Sequence, residues 1–148
     1  MLFDPPASLA LESPPRTSLG PRPPVSHPSH PRLRLSVYDA HASQRGRVER
    51  FIQVVYRRRY GARIAAWAPV LVALESGPDI IAAAGYRPAG EPLFLERYLA
   101  APVEECLRAH GSPAPPRERI VEVGHLAAVR MGAGRLLTLL LGRHLAAA

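Results

Sequence analysis

Two titratable residues, Glu122 and His125, stand three positions apart in the otherwise aliphatic run IVEVGHLAA. Apolar strands seldom spend positions on such groups without a use for them. A carboxylate desolvated on a mostly apolar strand suits a general base that takes a proton from an attacking ammonium, directly or through water. The alternative for Glu122 is a place on the polar face of an edge strand, paired with Arg119. A regular strand puts His125 on the face opposite Glu122, which argues against a simple dyad. His125 is then either catalytic or a strand-end histidine bonded to backbone.

Immediately downstream, VRMGAGR places Gly132, Ala133 and Gly134 ahead of an apolar stretch, LLTLLLGRHL. A strand passing through a glycine turn into a helix aims backbone N–H groups and a helix N-terminus at one point. Phosphate binds well there, with Arg130 or Arg135 as charge partner. A short Gly-x-Gly is also an ordinary turn into a helix. Glu96 and Tyr98 in LFLERY are two residues apart and share a face if that segment is extended. They would line an acceptor pocket, with Tyr98 protonating a departing thiolate, or else form a surface pair at the core margin. Cys106 is the one cysteine, so neither an intrachain disulfide nor a cysteine metal cluster is expected, and no metal site is predicted.

The elements that must position these residues follow from periodicity. Arg32–Tyr38 alternates as a strand, and Ser43–Tyr60 carries Val48, Phe51, Ile52, Val55 and Tyr56 at helical spacing, ending at Gly61. Pro69–Glu75 and Asp79–Tyr86 flank Ser76-Gly77-Pro78, a hairpin signature. Leu93–Tyr98 reads as an extended segment, Pro102–His110 as a short helix closed by Gly111, and Ile120–Val123 as a strand. The order gives an α/β (α+β) chain with an antiparallel start and a strand–helix unit at its end that is capable of parallel pairing.

Composition sets the surroundings. Nine of the seventeen prolines fall in Pro5–Pro31, among Ser, Arg and His, so residues 1–31 read as a disordered, polyproline-like arm and 32–148 as the folded domain. Formal net charge is +7 and every basic residue is arginine, which favours anionic partners. Zinc-finger spacing, RNA-binding aromatic motifs and basic-helix heptads are missing from the sequence, so no nucleic-acid partner is expected. The opening MLFDPP is not a standard secretory signal, and Leu136–Leu141 is too short to span a bilayer, so a cytoplasmic location without a transmembrane segment is expected.

The phrases RRRYGARI, PVLVAL, AAAGYRPAGEPLFLERYL, PVEECL and RIVEVGHLAA together resemble the thermostable haemolysin (thermostable hemolysin) family, over roughly Leu33–Leu145. That family is considered related to the GNAT N-acyltransferases and to acyl-homoserine-lactone synthases. The resemblance implies a GNAT-like fold up to its fourth strand and following helix, with the turn holding the pyrophosphate of acyl-CoA and a strand glutamate near Glu122 as base. It implies an acyl-CoA or acidic acyl-carrier-protein co-substrate, no permanently bound cofactor and a small amine acceptor. Three departures stand out. His125 occupies a position where the family usually has Asn. Aligning the glycines puts Val129 at the basic position of the phosphate loop, with Arg130 one residue late. The chain stops at Ala148, before the strand that usually forms the second wall of the donor slot, which makes truncation, or a wall supplied by another chain as in a homodimer, the expectation. The competing functions are a membrane-active cytolysin, with the Arg-rich helix on anionic lipid, and a non-catalytic remnant or binding protein.

Overall fold

The computed structural model describes residues 32–111 and 113–147. The expected proline-rich arm, 1–31, lies outside the described residues. The elements run β1 (Leu33–Tyr38), α1 (Arg45–Tyr60), β2 (Val70–Ser76), β3 (Asp79–Pro88), α2 (Val103–Ala109), β4 (Val121–Ala128) and α3 (Ala133–Ala147). Single 3-10 turns occupy Leu95–Tyr98 and Arg117–Arg119.

The architecture is mixed α and β, with one four-stranded sheet in the order β1-β2-β3-β4. Every neighbouring pair is antiparallel, so the strand–helix unit at the end does not pair in parallel as its sequence allows. The connection explains this. The chain leaves β3 at Pro88, which pairs with Val121 at the start of β4. Ala89 N–H donates to Ile120 carbonyl at 2.9 Å, so the whole excursion between them returns to the end of the sheet it left. A chain returning to the same end can only run back antiparallel.

Three layers result. Leu71, Ala73 and Ala83 face α1, which contributes Val48, Ile52 and Val55. Val72, Leu74, Ala82 and Ala84 face α3, which contributes Ala133, Leu137 and Leu141. Both faces of β2 and β3 are covered, which is why these strands read as continuous apolar runs. Each fully buried Leu, Ile or Val side chain contributes about 1.5–3 kcal/mol. Between the strands, Gly77 has φ 61° ahead of Pro78, the dihedral pattern of a II′ hairpin.

Leu93–Tyr98 is not extended. Glu96 accepts the N–H groups of Leu93 (2.9 Å) and Val103 (3.2 Å), and Glu122 accepts those of Phe94 (2.9 Å) and Leu95 (2.7 Å). Carboxylates thus take the donors that a neighbouring strand would have used, and the segment curls. A small satellite core of Ala89, Leu93 and Val103 sits beneath it.

Candidate functional site: a cleft along the outer strand

β4 lies at one edge of the sheet and carries an irregularity that its sequence hides. Gly85 pairs with Gly124 and Ala83 with Ala127, so His125 and Leu126 together oppose Ala84. This is a β-bulge, and at its first residue His125 takes φ 55°, the one positive value at a described residue other than glycine. Positive φ places Cβ close to backbone and costs roughly 1–2 kcal/mol for an L-residue.

The bulge changes which way His125 faces. A regular strand would put it opposite Glu122; here both line one cleft of about 620 Å³ on the α1 side of the sheet. The expected separation of the two residues is therefore corrected. Tyr56, residues 62–66, Ala68, Arg87, Phe94, Arg97, Val123 and Gly124 complete the lining.

Two glycines make the space. A Cβ on Gly85 would stand 2.8 Å from Ala68 Cβ and 2.9 Å from His125 Nδ1, closer than packed atoms allow. A Cβ on Gly124, across from it, would meet nothing within 4 Å. The first glycine seats the imidazole, and the second leaves room above the strand. Trp67 covers His125 with ring centroids 5.4 Å apart.

The wall facing β4, residues 61–69, is held from behind. Gln53 donates to Ala62 carbonyl (3.1 Å) and accepts Ile64 N–H (3.0 Å). Arg45 donates to the carbonyls of Ala68 (2.7 Å) and Pro69 (2.8 Å), while its Nε pairs with Glu49. These bonds recruit two residues of α1 to fix a segment without regular structure. Sequence reasoning gave neither Arg45 nor Gln53 a task, since each looks like an ordinary exposed-face helix residue. Arg87 was also missed. A signal existed, because an isolated glycine inside an apolar strand marks a bulge or a close approach, and Gly85 lies two residues away on the same face.

His125 Nδ1 is buried and has no hydrogen-bond partner among the described residues. Burial pushes the imidazole pKa below its usual value, assisted by Arg87 and Arg45 and opposed by the Ala66 backbone and Glu122. Folding thus favours the neutral ring, and Nδ1 packs against Gly85 without a polar partner. Glu122 is differently placed. Both of its oxygens accept backbone N–H groups, so it closes the cleft by holding Phe94 and Leu95 against β4. Tyr56, at the rim, has its phenol pKa raised by burial and by Tyr60.

Glu96 and Tyr98 share no strand face. Glu96 forms a bidentate pair with Arg117 (2.7 and 2.8 Å), which also reaches Glu104 (2.7 Å) and Ala89 carbonyl (2.6 Å). The guanidinium, followed by the bonds from Leu93 and Val103, holds the Glu96 carboxyl at about 2. Tyr98 is 74% exposed and packs edge-on against Phe94. The structure thus keeps both outside the cleft that Glu122 and His125 share.

The five turn residues do come together, at the far end of β4. Gly132 has φ 77°, a value suited to glycine, and turns the chain into α3. Ala133 N–H donates to Arg130 carbonyl (3.2 Å), and Leu136 N–H to Gly132 carbonyl (3.0 Å). Among the described residues no acceptor takes the N–H groups of Gly134 and Arg135, which belong to the first turn of α3. Gly134 faces β4, where a Cβ would come into contact with Ala128 Cβ at 3.4 Å. Arg130 and Arg135 are both exposed beside this turn. The end of β4, from which this turn departs, stands roughly 10 Å along the strand from His125.

Among the described residues, no group of His, Cys, Asp or Glu is arranged to hold a metal ion, and no helix is long and apolar enough to cross a membrane. Cys106 is half-buried, with Sγ 3.5 Å from Ala101 carbonyl. A family model described as thermostable hemolysin matches residues 38–148. No curated protein and no solved structure matches the chain.

Proposed function

Since the chain belongs to the thermostable hemolysin family, we propose that it is an N-acyltransferase-like protein of GNAT type, passing an acyl group from acyl-CoA or an acyl-carrier protein to a small amine. The observation that carries this reading is the bulge in β4. It spends backbone strain to turn the imidazole, held toward its neutral form, to the side of the cleft that Glu122 closes. The same outer strand runs directly into the turn of Gly132–Arg135.

The chemistry divides along that strand. Donor phosphates would meet the N–H groups of Gly134 and Arg135, with Arg130 and Arg135 supplying charge. An outer strand leaves alternate N–H groups unpaired, and those beside the bulge would stabilise the thioester oxyanion. The attacking amine would give its proton to His125, form the C–N bond and expel the thiolate as the C–S bond breaks. The thiolate then takes a proton from solvent. Glu122 would orient the ammonium with its remaining lone pairs while fixing the Phe94 wall. Glu96 and Tyr98 have no step in this scheme.

The test measures thiol release from acyl-CoAs of graded chain length, and from acyl-carrier protein, with a panel of amines. Donor binding is read in parallel from the fluorescence of Trp67, the one tryptophan. Saturable binding is expected, weakened at least tenfold in Arg130→Glu/Arg135→Glu, with thiol release falling about a hundredfold in His125→Ala, the range of general acid–base catalysis. No binding of any donor, or release unchanged in His125→Ala and Glu122→Gln, overturns the reading. The family description also names haemolysis, but the Val48, Ile52 and Val55 face of α1 is buried against the sheet and is not free to lie on lipid.

A further inference from the structure

A second concavity lies on the α1 side, at the opposite end of β4 from Glu122, and shares no lining residue with the cleft. Its volume is about 550 Å³, within the range of small-molecule sites. The floor is apolar: Phe51, Val54 and Val55 from α1, Ile80 from the hairpin, Ala128 and Val129 from the end of β4. The rim is cationic, formed by Arg47, Arg50, Arg58 and Arg59, with Asp79 the single acid among the lining residues.

The arginines are not equivalent. Arg47 is engaged, pairing with Glu75 at 2.9 Å and donating to Pro78 carbonyl. Arg50, Arg58 and Arg59 form no ion pair among the described residues. Positions 47, 50, 51, 54, 55 and 58 fall on one stripe of α1, so helical geometry itself stacks these cations around Phe51 and Val54. Gathering like charges raises the energy of the free protein, and leaving Val54 47% exposed adds apolar surface to water. One class of ligand relieves both: an alkyl chain ending in an anion, its tail on the floor and its head among the guanidiniums.

We propose that this pocket binds a single-chain anionic amphiphile, an alkyl carboxylate or alkyl phosphate, through Arg50, Arg58 and Arg59 over the Phe51–Val54–Ile80 floor. The site stands on its own residues and does not depend on acyl transfer at the cleft.

Four C10 probes, decanoate, decyl phosphate, decanol and decyltrimethylammonium, titrated below their micelle concentrations against the full chain, separate head from tail. Calorimetry should give one site per chain for the two anions, with decanol and the cation at least tenfold weaker. The tighter anion identifies the head group, carboxylate or phosphate. Arg50→Glu/Arg58→Glu should weaken anion binding at least tenfold. Val54→Glu, an exposed change that places an acid on the floor, should do the same. Both variants are checked for an unchanged circular-dichroism spectrum. Amide shifts should map to Phe51, Val54 and Ile80. Equal affinity for decanol and the anions, unchanged binding in the charge-reversed variant, shifts centred on His125, or no binding at millimolar concentration would each overturn the proposal.

Discussion

Two polar clusters flank β4, and they are built on opposite principles. Around Arg117, before the strand begins, the guanidinium meets two carboxylates and a carbonyl, and Glu96 also takes two backbone N–H groups. Around His125, within the strand, the backbone is strained, Nδ1 has no partner and a glycine has given up its side chain to make room. The first cluster resolves its own polarity and so serves to pin the segment carrying Phe94. The second keeps a strained backbone and an unpartnered ring nitrogen beside the cleft. Residue type alone would have ranked them alike, since each centres on a titratable group near an arginine.

Three experiments break or sharpen that contrast. The largest effect is expected from Gly85→Ala, whose Cβ falls on Ala68 and on the imidazole. Overpacking of this kind should cost about 1–3 kcal/mol in denaturant unfolding. A neutral result would mean that His125 is free to leave its seat. Next, His125→Gly should be more stable than His125→Ala by about 1 kcal/mol, because only glycine adopts positive φ without penalty. Equal stabilities would show that the bulge relaxes in solution.

The smallest effect is in the pH dependence, where the clusters should separate. His125 has its pKa lowered from 6.5 on folding, so below that pH the unfolded chain binds more protons. Its share of stability is complete above 6.5 and drains as pH falls toward the lower folded value. Glu96 moves from 4.5 to about 2, so its share is complete above 4.5 and is lost between 4.5 and about 2. Unfolding midpoints measured from pH 8 to 3 should show a first decline absent in His125→Asn and a second absent in Glu96→Gln. A single decline would mean that the clusters are not independent.

Much of this arrangement was legible in the sequence. The hairpin at Gly77-Pro78, the helix ending at Gly61 and the apolar β2 and β3 all follow from period and turn chemistry, which are local. The glycine turn at Gly132 into α3 is local in the same way. What stayed hidden depends on distant partners. The bulge exists because β4 is matched to β3 with one residue to spare, and no window of β4 alone contains that mismatch. The 3-10 turn at Leu95–Tyr98 forms because Glu122, far along the chain, takes its N–H groups. Arg45 and Gln53 act on a loop that follows their own helix, so a helical wheel shows only two polar residues.

The hydrogen bond from Ala89 to Ile120 has a consequence for how such a protein can evolve. It gathers the departing and returning strands at one place, so everything between hangs from the sheet as a closed appendage. Residues can be added to, removed from or exchanged within that appendage while β3 and β4 keep their register. Phe94 and Arg97 ride on it. One wall of the cleft is thus open to rapid variation, while the opposite wall is pinned by Arg45 and Gln53 and the floor at Gly85 is constrained by Ala68 and His125. Relatives of this chain should therefore differ more on one side of the cleft than on the other.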